Sequence, residues 1–319
     1  MRQTPDSTDR RIAAALLASP RASWRDLGRS LNLSERTVVR RVTPLYADGT
    51  LRATAVPNPA CFPHLVPVAL RIRCRPDKIR QVAQALARRT DTVWVDILGG
   101  GDEISAVFFL DGPDARNTLL LRDLPATSAV GSWTAHTLLR VFPTAFRWTA
   151  GLLTPDELEQ LVPAPTAPTA PPAPLDIDTA LLTTLSEDGR ATYTDLARRA
   201  GTTALTARRR LDALVRGGVL RLATEVDLAL LGAGTEALLW IAVRPGALQE
   251  AAQTLSAHPH VRFCAATTGP ANLVVAVAAA NLDALYTFLT DAVGSLDGVT
   301  AIDTTPLLAT VKRTGLVRR

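Results

Sequence analysis

Arginine and hydroxyl side chains recur together in two short stretches of the chain. Ser34, Arg36, Thr37 and Arg40 stand in the first, and Thr203, Thr206, Arg208 and Arg209 in the second. A guanidinium is a rigid fork of donors that fits phosphate oxygens and the guanine edge, while a Ser or Thr at a helix start caps the helix. Arg36 and Arg40 lie four apart, on the helix face opposite Val38 and Val42. That pattern presents cations to solvent and apolar side chains to a core, which suits a polyanion such as double-stranded DNA. Arg41 and Arg210 fall nearer the apolar face and suit a structural pairing with an acid.

A second kind of site chemistry belongs to two glycine-bearing loops, Gly99–Asp102 and Gly269–Asn272. Glycine lets a backbone approach a ligand closely, and a terminal Asp or Asn accepts a hydrogen bond from an amino group. Gly99, Gly101, Asp102, Gly269 and Asn272 are the candidate effector-binding residues; a tight hairpin that needs glycine for its own backbone is the alternative. Gly99-Gly100-Gly101 lacks the spacing of a dinucleotide fingerprint. Cys61, Cys74 and Cys264 have neither disulfide-framework nor metal-ligand spacing. His64, His136, His258 and His260 form no acid–base constellation with Tyr46, Tyr193 or Tyr286. No catalytic residue, metal or cofactor is expected.

The elements that position these residues occur twice. Arg21–Arg52 aligns with Arg190–Arg221 at a constant offset of 169, and 12 of 32 columns are identical, Arg21/Arg190 and Arg40/Arg209 among them. In the first copy, apolar spacing predicts a helix over Asp9–Ala18 that is ended by Ser19-Pro20. Ser23 caps a second helix running to Leu31, Asn32-Leu33 makes the turn, and Ser34 caps a third helix that Gly49 ends. Pro44 inside that third helix removes a hydrogen bond and predicts a kink. Leu51–Val56 reads as a strand. The second copy repeats the plan through Ile177–Leu185, Thr194–Ala200, Gly201 and Thr203 to Gly218. Two short helices joined by a tight turn, the second exposing basic residues, have helix-turn-helix geometry.

Each trihelical unit is followed by a β-α-β-β-α-β pattern. Its elements are Val66–Arg73, Asp77–Arg88, Thr92–Leu98, Ile104–Leu110, Asp114–Leu121 and Ser132–Val141 in the first copy. In the second they are Ala237–Arg244, Ala247–Ala257, Val261–Thr267, Leu273–Ala279, Leu282–Val293 and Val299–Val311. Between the copies, Pro163–Pro174 reads PAPTAPTAPPAP, an extended polyproline spacer able to span about 37 Å. Thr154–Leu161 before it reads as a short helix, Thr154 its cap and Pro155 its first residue.

Charge follows the same division. Residues 1–55 hold ten arginines against five acids, whereas residues 222–312 carry three bases against eight acids. The net charge of +5 therefore hides basic segments beside an acidic one. Residues 64–150 sum to +3 and residues 222–312 to −5, favouring pairing of unlike αβ copies within one chain. No apolar run reaches the roughly 18 residues needed to cross a bilayer, and the polar N-terminus lacks a signal pattern. A cytoplasmic protein without membrane contact is the expectation.

A trihelical basic unit joined to this αβ domain resembles the leucine-responsive/asparagine regulator (Lrp/AsnC) family. The marks are Leu175–Asp178 opening a helix, the run Ser34-x3-Val38-x2-Arg41-Val42-x2-Leu45-x3-Gly49-x-Leu51, the loop Thr268–Asn272, and Thr304-Thr305 with Lys312. The resemblance implies an α+β chain: two winged-type helix-turn-helix units alternating with two ferredoxin-like domains. The divisions are 1–57, 64–150, a helix and linker at 154–175, then 176–223 and 235–313. It implies sheets packed face to face, an amino acid or similar effector near each glycine loop, and sequence-specific DNA binding. An intrachain pseudo-dimer follows from the duplication, and further homo-oligomers from the family. Asp102 matches the acid that the family often carries at the loop's end, and Asn272 departs from it. Siroheme decarboxylases resemble the same regulators and are the enzyme alternative; a metabolite-sensing assembly protein that does not bind DNA is the other.

Overall fold

The computed structural model describes residues 6–142, 148–162 and 170–318. The first copy runs through helices α1 (Ser7–Ala18), α2 (Trp24–Leu31) and α3 (Glu35–Ala47) into strand β1 (Leu51–Pro57). Its αβ part follows as β2 (Leu65–Cys74), α4 (Ile79–Arg88), β3 (Thr92–Leu98), β4 (Glu103–Asp111), α5 (Gly112–Thr118) and β5 (Val130–Val141). After the short α6 (Pro155–Leu161), the second copy gives α7 (Ile177–Glu187), α8 (Tyr193–Arg199), α9 (Ala204–Arg216) and β6 (Leu220–Val226). Its αβ part is β7 (Thr235–Val243), α10 (Leu248–Ala257), β8 (Val261–Thr267), β9 (Leu273–Ala279), α11 (Leu282–Thr287) and β10 (Val299–Arg313), before the short β11 (Leu316–Val317). Equivalent elements keep the offset to within one residue: α3 and α9, α4 and α10, and β3 and β8 each begin 169 residues apart, and β2 and β7 170. The duplication thus spans the whole plan without net insertion.

The two helix-turn-helix stretches lie in one compact unit, drawn from residues 1–62 and 146–232. Ile12, Leu16, Leu27, Leu31, Val38 and Val42 are buried in the first, and Leu181, Leu185, Leu196, Leu211 and Leu214 in the second. Fully burying one such aliphatic side chain stabilises by roughly 1.5–3 kcal/mol, so each stripe fixes its helices firmly. The wing strands β1 and β6 pair antiparallel with Thr54 opposite Ala223, its own repeat equivalent. A local two-fold axis therefore passes between the wings. Each wing lies beneath the other copy's first helix: Thr224 Oγ1 donates to Leu16 O at 2.6 Å, and Thr54 Oγ1 to Ser186 O at 2.9 Å. Pro44 does not end α3, which continues to Ala47. The start of α1 is set by Asp6, whose side chain accepts from the amides of Thr8 and Asp9 in a capping box that the apolar spacing did not indicate.

The second unit, residues 63–145 and 233–319, holds both αβ copies. The strand order β3-β4-β2-β5 in one copy and β8-β9-β7-β10 in the other is the ferredoxin-like order. Both last strands are long enough to serve two neighbours. β5 pairs with β2 and then with β8, and β10 pairs with β7 and then with β3. The eight strands thus close into a ring with no free edge between the copies, which removes the aggregation hazard of an open edge. The family expectation of sheets meeting face to face is completed by these edge-to-edge seams. Inside the ring, Ala69, Leu98, Leu138, Leu238, Trp240, Val274 and Ala276 form a shared core, and each copy packs its helices over a separate apolar cluster. The intrachain αβ pair expected from the duplication is present in this geometry. Of the proline-rich spacer, residues 163–169 lie outside the described residues.

Candidate DNA interface and effector loops

The recognition helices are set by their caps. Ser34 Oγ accepts the Thr37 amide at 3.1 Å and Thr203 Oγ1 accepts the Thr206 amide at 3.2 Å, while Asn32 and Gly201 take the left-handed backbone that makes each turn tight. Thr37 and Thr206 also bond their hydroxyls to the cap hydroxyls, at 2.8 and 2.9 Å. Arg36 and Arg40 on α3, and Arg208 and Arg209 on α9, are exposed, and among the described residues none is in an ion pair. Arg208 lies over the Tyr193 ring at 5.8 Å. All eight sequence-predicted residues of this group therefore fall on the caps and first two turns of two equivalent helices.

The neighbouring arginines behave differently, as their position predicted. Arg41 bonds Asp6 at 2.6 Å and Asp9 at 3.0 Å, tying the recognition helix to the α1 cap. Hydrogen bonds from Asp6 and Asp9 push the Arg41 pKa up; the Asp9 amide, then Arg41, pull that of Asp6 down. Arg210 makes a two-pronged pair with Asp178, both bonds 2.6 Å long, and donates to Ala173 O near the end of the spacer.

Two further arginines lock the readers together. Arg21 donates to Gly189 O at 2.7 Å and Ala191 O at 3.0 Å, and its equivalent Arg190 donates to Pro20 O and Ala22 O at the same distances. Arg190 also lies 4.0 Å over the Trp24 ring, against 5.1 Å for Arg21 over Tyr193. Burial pulls the Arg190 pKa down. Between the repeats Arg21/Arg190 is simply an identical column; nothing local in sequence says that each reaches the other copy. Likewise α6 is held on the first reader by the Arg11–Glu157 ion pair and by Ser30 Oγ donating to Glu157 O at 2.9 Å.

The glycine loops sit at the two seams of the αβ ring. Gly99–Asp102 joins β3 to β4, with Gly101 at φ 71°. Asp102 accepts from Arg73 at 3.1 Å and remains partly exposed, while its neighbour Glu103 is buried against Arg71. In the other loop, Asn272 commits its oxygen to the Val243 amide at 2.9 Å and its nitrogen to the Val243 carbonyl at 2.8 Å. Asn272 therefore clamps the loop to the end of β7. Strand register places Leu273 against Ile241 as Ile104 lies against Ile72, which makes Asn272 the equivalent of Glu103 and not of Asp102. A Cβ on Gly269 would stand 2.4 Å from His136 Nδ1. There Thr268 O lies 2.7 Å from that nitrogen, and Thr137 and Thr268 exchange two further bonds. At the other seam Pro306 replaces Thr137 and cannot donate.

That second seam carries buried charge instead. Arg313, 2% exposed, bonds Glu236 at 2.7 Å and approaches Asp96 to 3.9 Å, with Arg262 3.7 Å from Glu236. Burial pushes the Asp96 pKa up to about 6, partly opposed by Arg313. Burial also acts to raise that of Glu236, but Arg262 and Arg313 outweigh it and the net shift is downward. His258 and His260 lie in the α10–β8 turn beside Phe288, away from His136 in the strand seam. No group of three metal-ligating side chains occurs among the described residues, and no described helix is long and apolar enough to cross a membrane.

Paired helix-turn-helix readers on one compact unit and a closed αβ ring on the other define a helix-turn-helix regulator with a ligand-binding part. The AsnC-type helix-turn-helix domain model matches residues 6–45 and again 176–215, and the Lrp/AsnC ligand binding domain model matches 236–317. An uncharacterised HTH-type transcriptional regulator of Pyrococcus horikoshii is 31% identical over 145 residues, which are 45% of this chain and 90% of that relative. The HTH-type regulator FL11 of the same organism is 32% identical over 143 residues, 44% of this chain and 94% of FL11. The chain belongs to the Lrp/AsnC family of transcription regulators. In fold, it is similar over 97% of its length to the siroheme decarboxylase NirDL (93% of that chain), with a TM-score of 0.60 at 12% identity. That likeness concerns architecture alone.

Proposed function

We propose that the chain is a sequence-specific DNA-binding regulator in which a single polypeptide supplies both readers. The observation that carries this reading is the pair of capped helices α3 and α9, exposing Arg36, Arg40, Arg208 and Arg209 and joined by wing pairing and by Arg21 and Arg190. Ser34, Thr37, Thr203 and Thr206 begin those helices, where hydroxyls and amides meet phosphate oxygens while the arginines reach base edges and phosphates. A two-fold pair of readers addresses inverted half-sites. Footprinting on DNA upstream of the protein's own gene tests this: protection that weakens steeply with salt is expected, and absence of sequence preference and of salt sensitivity contradicts it.

The αβ ring binds a small effector, an amino acid or a close relative, at the loop containing Gly99, Gly101 and Asp102. Partial exposure of the Asp102 carboxylate supports that choice. At the Gly269 loop, Asn272 shapes the backbone that a ligand would meet, its own amide being committed to Val243. Calorimetric titration with the twenty amino acids identifies the effector, and Asp102→Ala is expected to abolish its binding. Assembly of further chains is supported by Leu139 and Leu308, equivalent residues that both stay exposed on the seam strands β5 and β10. Tetrapyrrole absorbance in the purified protein would instead favour the enzyme alternative.

A further inference from the structure

The equivalent exposed positions of the two readers carry the same two chemical types in opposite order. On α3, Arg36 comes first and Val39 one turn later; on α9, Leu205 comes first and Arg208 one turn later. All four side chains face solvent, Leu205 at 56% and Val39 at 38%. A leucine this exposed at the second residue of a helix contributes little to the fold, so its explanation lies in what the helix meets. Arg40 and Arg209 are common to both copies and do not distinguish them.

In the major groove an arginine pairs with the O6 and N7 of guanine, and an aliphatic side chain packs on the thymine methyl. Three residues of helix advance about 4.5 Å, close to one base step of about 3.4 Å. The two positions on each helix therefore fall on neighbouring base pairs. The wing register and the reciprocal Arg21 and Arg190 bonds hold the readers about a local two-fold axis, so the half-sites are inverted relative to each other.

We propose that the DNA target is an imperfect inverted repeat whose two half-sites carry a guanine and a thymine in opposite order. The half-site under α3 has guanine at the helix start and thymine at the adjacent pair. The half-site under α9 has thymine first and guanine second. This rests on the DNA-binding reading above and adds the identity of the bases.

In vitro selection from a randomised duplex library, using the full-length protein, tests the idea. The wild-type chain is expected to enrich a non-palindromic site with that reversal. The double exchange Arg36→Leu with Val39→Arg gives α3 the pattern of α9, and is expected to enrich a true palindrome of the α9 half-site. Its affinity for the wild-type site should fall about 10-fold or more. Leu205→Arg with Arg208→Val should enrich the opposite palindrome. These exposed positions should leave the melting temperature unchanged, which separates misreading from misfolding. A palindrome selected by the wild type, or a site unaltered by either exchange, overturns the proposal while leaving DNA binding intact. Failure to retain any duplex overturns the DNA-binding reading with it.

Discussion

The two copies are superimposable in plan and unlike in chemistry. Their elements are offset by 169 or 170 residues, yet one seam of the αβ ring is closed by Thr137, Thr268 and His136, and the other by Asp96, Glu236, Arg262 and Arg313. The readers differ in the same way, with Arg36 and Val39 set against Leu205 and Arg208. Duplication has kept what the backbone needs, such as Gly49 and Gly218 ending the third helices, and released what the surface and seams need. In a homodimer of one copy each substitution would appear twice; here each side changes alone. Divergence of this kind commits each αβ copy to its partner, because copy two paired with itself would set Arg313 against Ala265 in place of Asp96.

The largest effect that should separate the copies comes from the reciprocal arginines. Arg190→Ala removes two charge-assisted bonds and a close stack on Trp24, and should cost about 4 kcal/mol in urea unfolding. Arg21→Ala loses the same bonds with a longer aromatic approach and should cost about 3 kcal/mol. Equal costs would mean that the closer approach of Arg190 to Trp24 adds nothing. Next come the equivalent loop glycines. Gly269→Ala forces a side chain at φ 105° against His136 and should cost about 3 kcal/mol. At Gly100 the obstructing atom is the end of the Asp102 side chain, which can swing away, so Gly100→Ala should cost about 1 kcal/mol or less. Melting curves of the two variants side by side decide it.

Asp96 gives a pH-dependent contrast between the seams. Its pKa rises from 3.8 to about 6 on folding, so its neutral form is favoured in the folded protein. The stabilisation this provides is complete below pH 3.8 and is lost as pH rises through about 6. The wild type should therefore lose stability relative to Asp96→Asn between pH 4 and 7, by on the order of 2 kcal/mol. Parallel stability curves for the two proteins across that range would show that Arg313 dominates over burial.

Local structure was readable where a single side chain settles the backbone. Ser23, Ser34 and Thr203 cap the helices as their spacing implied, Asn32 makes the turn, and β3, β8 and β9 have the bounds that alternation and turn residues suggested. The pairing of Arg41 and Arg210 with acids was readable too, because both residues fall between the exposed and apolar faces. The contacts between copies were not. Arg21 and Arg190 look like surface charge, and the double pairing of β5 and β10 leaves no periodic trace, because both joins depend on residues far apart in the chain. The glycine loops differ from that case: the offset of 169 extended past the helices already sets Asn272 against Glu103, and strand register agrees, whereas matching the loops by their last polar residue sets it against Asp102.

The central claim, two readers acting on one DNA, is tested most directly by the salt dependence of duplex affinity. Removing one arginine–phosphate pair reduces the slope of log affinity against log salt by about 0.9. With Arg36 and Arg208 on guanine and Arg40 and Arg209 on phosphate, replacing all four by alanine is expected to flatten the slope by about 1 to 2, each reader contributing about half. A slope unchanged by all four replacements, in protein that still melts like the wild type, would contradict the account.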